Sequence, residues 1–335
     1  MSKELNFAII GCGKIAPRHA ENIARIGNLV AVCDIISDKA DQLALQYNTR
    51  VYTALEELLK NEPGIDIVTI CTPNGLHAEH SIHSLEAGKH VLCEKPMCIT
   101  TADAALMKKA AITAGKNLFV VKQNRYNPPV VAIKELIEKN ILGKILSVQV
   151  NGFWNRDKKY FSNDWKGTKN LDGGILYTQF SHFIDLAYWL AGNIKTVKAI
   201  KKNLLLKETI QTEDNCVVIA EFESGALGSF HFSINAFEKN MEGSITIIAE
   251  KGTVKIGGQY LNTLEYQRVK DIGPIKIDKG NLSNDYGFYE GSMSNHDKVY
   301  ENLLIALNNP GHTFAGAEDG MKTVEIIEKI YTSCI

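Results

Sequence analysis

The sequence predicts an α/β protein: a doubly wound parallel sheet in residues 1–123, then an α+β domain with a large, mostly antiparallel open sheet in residues 124–335. Three observations carry this. Short β-branched runs alternate with amphipathic stretches through the first third. A glycine-rich turn follows the first run. After Asn124 the pattern changes to long period-two alternation.

Runs at residues 6–10, 29–34, 66–71, 90–93 and 117–121 are the short apolar stretches expected of strands buried on both faces. The helical stretches between them have readable ends, with Ser37 or Thr53 as N-caps and Gly27, Gly88 and Gly115 as C-caps. Strand and helix in repetition imply parallel pairing through right-handed crossovers. Past Asn124, PPVVAIKELIEKN starts a helix at Pro128. KILSVQVNGFW, TVKAIKK, NCVVIAEFESGALGSFHFSI and GSITIIAEKGTVKIG then read as hairpin strands, turning at Ser224-Gly225 and Lys251-Gly252, with one covered face. The closing EDGMKTVEIIEKIYTS is helical and is expected to pack back on the body of the protein.

With 335 residues, 45% of them hydrophobic, the chain is long enough for about two domains. Its 37 basic and 38 acidic residues give a net charge of −1, so no global field draws in nucleic acid or a membrane surface. A small anionic substrate needs only a local patch. The apolar stretch in MSKELNFAIIG is too short for a signal or a spanning helix, which predicts a cytoplasmic protein. Seven cysteines show no CxxC spacing, and Cys12, Cys33, Cys71 and Cys93 lie in or beside apolar runs. They are expected as reduced core thiols, with no metal site.

The motif Gly11-x-Gly13-x-x-Ala16 stands where the first strand turns into the first helix. Gly11 permits the tight turn, Gly13 lets a pyrophosphate approach the backbone, and Ala16 keeps the helix close to the sheet. Asp34 follows 21 residues after Gly13, at the end of the second run, where a carboxylate accepts hydrogen bonds from ribose hydroxyls. Ile35 and Ile36 follow it, with no arginine for a 2′-phosphate, so NAD is preferred over NADP.

The chemistry is expected where the two domains meet, at the carboxyl ends of the parallel strands, where CTPNGLHAEH, CEKP and KQNRYNPP converge. Lys95, flanked by Glu94 and Pro96, is the candidate to hydrogen-bond a substrate hydroxyl and take or relay its proton. A solvated lysine at a strand end is the plain alternative. In DGGILYTQFSHFIDLAYWLAG, helical spacing puts Thr178, His182 and Asp185 on one face with Gln179 beside them. His182 is either a proton acceptor or a satisfied core histidine.

These segments together, GCGKIAPRH, TPNGLHAEH, CEKP, QNRYNPP, the glycine pair with a downstream histidine and EDGMKTVEIIEKIYTS, resemble the glucose–fructose oxidoreductase, inositol dehydrogenase and MocA family over essentially the whole chain. The resemblance implies an N-terminal Rossmann domain, a C-terminal domain whose open sheet packs in a homo-oligomer (dimer or tetramer), and a catalytic lysine matching Lys95. It implies cofactor contacts from Gly11, Gly13, Lys14, Ile15, Asp34, Thr72, Asn74, His77, Glu94, Lys95 and Gln123, and substrate contacts from Asn124, Arg125, Arg156, Tyr160, Gln179 and His182. QNRYNPPV, GFWNRDKKYF and DW-x-GT resemble the branch that oxidises the 3-hydroxyl of UDP-N-acetyl-glucosaminuronic acid on the way to bacterial surface polysaccharide. In that setting an aminotransferase consumes the product and 2-oxoglutarate reoxidises NADH. One departure stands out: many members carry an aspartate four residues before the histidine, where this chain has Thr178.

Residues 153–170 fit that branch on physical grounds. Arg156, Lys158, Lys159, Lys166 and Lys169 outnumber Asp157 and Asp164, and Trp154, Tyr160, Phe161 and Trp165 interleave with them. Cations suit a pyrophosphate and a carboxylate, and flat rings suit uracil. A solvated basic loop is the alternative. For the whole chain the competing functions are a dehydrogenase of an uncharged polyol or free sugar, and a dinucleotide-binding sensor without catalysis.

Overall fold

The computed structural model describes residues 4–162, 165–285, 287, 289–309 and 311–335. Asp164 of the basic segment lies outside the described residues. The chain divides into two compact units.

In the first unit, β1 (Leu5–Ile10), β2 (Gly27–Cys33), β3 (Arg50–Tyr52), β4 (Ile67–Ile70), β5 (His90–Cys93) and β6 (Leu118–Val120) form a six-stranded parallel sheet in the order β3-β2-β1-β4-β5-β6. Helices α1 (Ala16–Ile26), α2 (Ser37–Tyr47), α3 (Leu55–Asn61), α4 (His77–Glu86) and α5 (Thr101–Ala114) alternate with the strands. Phe7, Ala8 and Ile9 of β1 and Ile67, Val68 and Ile70 of β4 are fully buried, as a sheet covered on both faces requires. Each large apolar side chain so buried contributes about 1.5–3 kcal/mol. Edge strand β3 was not expected, because three residues, Arg50 exposed and Val51 and Tyr52 half-exposed, carry no periodic signal. The N-cap positions are Ile36 and Ala54, one residue away from Ser37 and one past Thr53. Neither helix start carries a side-chain cap; ahead of the first, the Asp34 side chain accepts the Ile36 N–H at 2.9 Å.

The second unit holds α6 (Pro128–Glu138), β7 (Ile145–Phe153), α7 (Ile175–Thr178), α8 (Ser181–Ala191), β8 (Ile194–Lys202), β9 (Asn215–Phe222), β10 (Leu227–Ser233), β11 (Glu242–Ala249), β12 (Gly252–Gly257) and β13 (Thr263–Val269). A short pair, β14 (Ser283–Asp285) and β15 (Glu290–Met293), follows. The seven-stranded sheet runs β13-β12-β11-β7-β10-β9-β8, antiparallel except where β10 lies parallel to β7. Phe180, beside α8, stacks on Phe232 of β10 with centroids 4.8 Å apart, and Phe183 of α8 meets the same ring edge-on at 6.2 Å, covering one sheet face. The other face leaves Ile200, Val217, Ile219, Leu227 and Ile248 exposed.

Two further helices, α9 (His296–Asn308) and α10 (Ala317–Thr332), close the chain. They correct the expected single boundary after residue 123: the first unit comprises Met1–Val121 and His296–Val324, the second Lys122–Asn295 and Glu325–Ile335. The cause is local packing. Tyr300 of α9 meets Phe7 and His19 edge-on at 6.1 and 5.8 Å, and Val120 donates its N–H to Ala315 at 2.9 Å.

Candidate active site

The turn after β1 is built for a bound phosphate. Gly11 has φ +90°, and a Cβ there would lie 2.7 Å from the Cys71 carbonyl carbon and oxygen, so only glycine fits. At Gly13 a Cβ would meet nothing within 4 Å. The start of α1 has no side-chain cap and no acidic residue in its first turn, so its positive end is not neutralised locally. Lys14 is exposed, Ile15 half-exposed. Asp34 Oδ2 accepts the Cys12 N–H at 2.8 Å while Oδ1 holds Ile36, which fixes the carboxylate at the carboxyl end of β2. These residues fit a dinucleotide.

The loops after β4 and β5 are stapled together. His77 is 1% exposed and lies between two backbone carbonyls, its Nε2 2.8 Å from that of Thr72 and its Nδ1 2.7 Å from that of Pro96. The imidazole bridges these two loops. Burial lowers its pKa, the two carbonyls opposing. Thr72 Oγ1 meets His80 Nδ1 at 3.0 Å, and Asn74 is buried. Glu94 is 6% exposed. One carboxylate oxygen accepts from His19 Nε2 at 2.8 Å and from His296 Nε2 at 3.3 Å, and the other accepts the Lys95 N–H at 3.0 Å. Burial alone would raise this carboxyl, yet the two imidazoles outweigh it and hold it well below the usual carboxylate range. Lys95 follows, half-buried.

In the second unit Gln123, Asn124 and Arg125 form a 3-10 turn and are all buried. Gln123 Oε1 and Asn124 Oδ1 are buried with no hydrogen-bond partner among the described residues. Arg125 differs. Its Nε and Nη2 fork onto Asp185 at 2.9 and 2.8 Å, with Lys122 Nζ on the same carboxylate at 2.9 Å. Expected as a substrate contact, it forms a buried ion pair with Asp185.

The helix expected over residues 172–192 is broken at Gln179 and Phe180 into α7 and α8. His182, in the first turn of α8, is 2% exposed. The Thr178 hydroxyl donates to the Asp172 carboxylate, so the carboxylate missing from position 178 stands one hydrogen bond away. Burial raises the Asp172 carboxyl.

Arg156, Gln179 and Tyr160 are brought together by direct bonds. Arg156 Nε donates to Gln179 Oε1 at 2.8 Å, and Gln179 Nε2 donates to the Tyr160 hydroxyl at 2.7 Å. The guanidinium lies 5.1, 5.1 and 5.0 Å from the rings of Trp154, Tyr160 and Tyr289. Lys166 Nζ sits 3.6 Å from the Tyr160 ring centre. Arg156 is 3% exposed, and its acceptors among the described residues, Gln179 Oε1, Asn240 Oδ1 and the Asn155 and Glu290 carbonyls, are all neutral. Burial lowers its pKa, nearby tyrosines opposing. The basic segment thus splits: Lys158, Lys159 and Lys169 are exposed, whereas Arg156 and Lys166 are buried.

The residues that sequence reasoning missed are His296 and Tyr300. Their spacing of four on one helical face was the available signal. Among the described residues His19, Glu94 and His296 are the group close enough to hold a metal ion, but their separations are those of N–H···O bonds onto one shared oxygen.

Comparison with known proteins agrees with this layout. Residues 5–122 match a family described as an oxidoreductase family with an NAD-binding Rossmann fold, and residues 130–255 match the GFO/IDH/MocA C-terminal domain. The WlbA dehydrogenase from Bordetella pertussis, solved in complex with NADH and UDP-GlcNAcA, is similar at 31% identity and TM-score 0.89, over 99% of this chain and 96% of that one. Its counterpart from Chromobacterium violaceum, in the same complex, is similar at 33% identity and TM-score 0.88, over 99% and 94%. Glucose-6-phosphate 3-dehydrogenase of Bacillus subtilis is 34% identical over 97% of this chain and 95% of its own length.

Proposed function

The chain belongs to the GFO/IDH/MocA oxidoreductase family, and on that premise we propose that this NAD-dependent sugar dehydrogenase oxidises the 3-hydroxyl of UDP-N-acetyl-glucosaminuronic acid (UDP-GlcNAcA). One observation carries the choice of an anionic substrate: Arg156 is a buried cation whose hydrogen-bond acceptors among the described residues are all neutral. A buried charge without a counter-ion is costly, and a bound carboxylate or phosphate supplies the missing one. An uncharged polyol does not.

Bound NAD supplies the hydride acceptor. The turn at Gly11 and Gly13 and the carboxylate of Asp34 hold it, with Thr72, Asn74, Glu94 and Gln123 toward the nicotinamide half. Lys95 and His182 share the hydroxyl proton, one accepting it while the other steadies the developing oxyanion. Arg156 and Tyr160 grip the substrate, with Asn124 and Gln179 beside them. Oxidation of a secondary alcohol by NAD is uphill near neutral pH, so 2-oxoglutarate as NADH reoxidant and an aminotransferase as consumer of the ketone complete the setting. The exposed apolar face of the second sheet supports packing against another copy of the chain; a monomer mass by light scattering would reject that part.

A second reading, oxidation of a free hexose phosphate, is favoured by the 34% identity to glucose-6-phosphate 3-dehydrogenase. The experiment is to supply NAD with UDP-GlcNAcA, glucose 6-phosphate or myo-inositol and follow NADH, with and without 2-oxoglutarate. Turnover of UDP-GlcNAcA above the other two is expected. Turnover of glucose 6-phosphate alone selects the second reading, and of myo-inositol alone rejects both.

A further inference from the structure

Glu94 is the hub of a buried hydrogen-bond chain that begins on three other elements. Thr69 of β4 meets the Tyr300 hydroxyl at 3.4 Å, and that hydroxyl lies 2.9 Å from His19 Nδ1. Tyr300 O–H donates to Nδ1, which leaves the His19 proton on Nε2, donating to Glu94 Oε1. His296 Nε2 donates to the same oxygen. His19 and His296 are both fully buried, their rings edge-to-face at 5.1 Å. With Oε1 pinned by two imidazoles, Oε2 is left to fix the N–H of Lys95.

His296 cannot be explained by packing alone. Its Nδ1 is buried with no hydrogen-bond partner among the described residues, a defect that an apolar side chain of similar size would not carry. What the imidazole provides is one N–H aimed at Glu94. We propose that His296 is a positioning residue: through Glu94 it fixes the backbone at Lys95 and hence the direction of the Lys95 amine. This rests on the assignment of Lys95 to the hydroxyl proton.

The test compares His296→Leu, which removes the donor, with His296→Gln, which returns an N–H near the position of Nε2. Each is assayed for kcat and KM with NAD and UDP-GlcNAcA, for NADH affinity, and for melting temperature. Labelling of Lys95 by pyridoxal phosphate and borohydride, read by peptide mass, reports the amine without turnover. Expected for His296→Leu are a kcat at least tenfold lower, KM and NADH affinity within about twofold, and an altered Lys95 labelling rate. His296→Gln should recover most of kcat and labelling. Should His296→Leu not fold, His296→Met, which also lacks the N–H, must show the same kcat loss.

Folded variants with unchanged kcat and labelling, or Leu and Gln variants equally impaired, would overturn the proposal. So would a stoichiometric divalent ion in the purified protein that disappears with His296→Leu. Unimpaired turnover by Lys95→Met would instead overturn the assignment of Lys95, while the labelling arm still reads His296.

Discussion

The Arg125 guanidinium forks onto Asp185, with Nε and Nη2 at 2.9 and 2.8 Å from its two oxygens, and Lys122 Nζ completes the cluster. All three residues are buried. Burial would raise the Asp185 carboxyl, but the two cations prevail and hold it far below the ordinary range. Asp185→Asn leaves two buried cations without their anion and is expected to cost about 3–5 kcal/mol. The sign of the pH dependence follows from the depressed folded pKa: the stabilisation is present above the unfolded value of roughly 4 and is lost as pH falls through the folded one. Urea titrations at neutral pH and in acid should therefore show the wild-type advantage over Asp185→Asn shrinking on acidification. An advantage independent of pH contradicts this.

Gly11 and Gly13 separate folding from binding. Gly11→Ala combines φ +90° with a Cβ 2.7 Å from backbone atoms of Cys71, so stability should fall by roughly 2 kcal/mol or more. Gly13→Val meets no protein atom at its Cβ. Its melting temperature should stay within a few degrees of wild type while NADH affinity drops at least tenfold. Calorimetry and fluorescence titration on both variants check this, and an unchanged affinity in Gly13→Val would place the phosphates elsewhere.

Much of this site was legible in the sequence, for identifiable reasons. The parallel sheet could be read because its strands are buried on both faces, and Gly11, Gly13 and Asp34 because their spacing follows from the phosphate turn itself. Arg156, Tyr160 and Gln179 were named separately, and the fold joins them through two hydrogen bonds. What could not be read depends on partners distant in sequence. Nothing local tells that Arg125 pairs with Asp185, 60 residues away, or that His77 meets the Pro96 carbonyl. Nor can period and propensity show that the chain returns to the first unit at His296, 202 residues beyond Glu94.

Cofactor choice should turn on Asp34. Both its oxygens are fixed by backbone N–H groups, so the carboxylate cannot swing away from a 2′-phosphate. Wild type should bind NADH at least tenfold more tightly than NADPH. Asp34→Ser with Ile35→Arg should reverse or abolish that preference, read as the ratio of the two dissociation constants. Equal affinity of the wild type for both would remove Asp34 from this role.

For substrate charge the deciding residue is Arg156. Loss of a charge-assisted bond worth about 1.5–3 kcal/mol predicts that Arg156→Ala raises KM for UDP-GlcNAcA roughly ten- to a hundredfold. Arg156→Lys keeps the charge without the fork and should fall between. Because the side chain is also packed among three rings, melting temperatures accompany the kinetics. A folded Arg156→Ala enzyme with unaltered KM would reopen the case for an uncharged sugar.

The most direct measurement compares wild type with Lys95→Met in the presence of NAD and UDP-GlcNAcA, following NADH formation and measuring NADH affinity on the same samples. Lys95→Met should still bind NADH yet turn over at least a thousandfold more slowly. Turnover at the wild-type rate would show that this side chain takes no part in the oxidation.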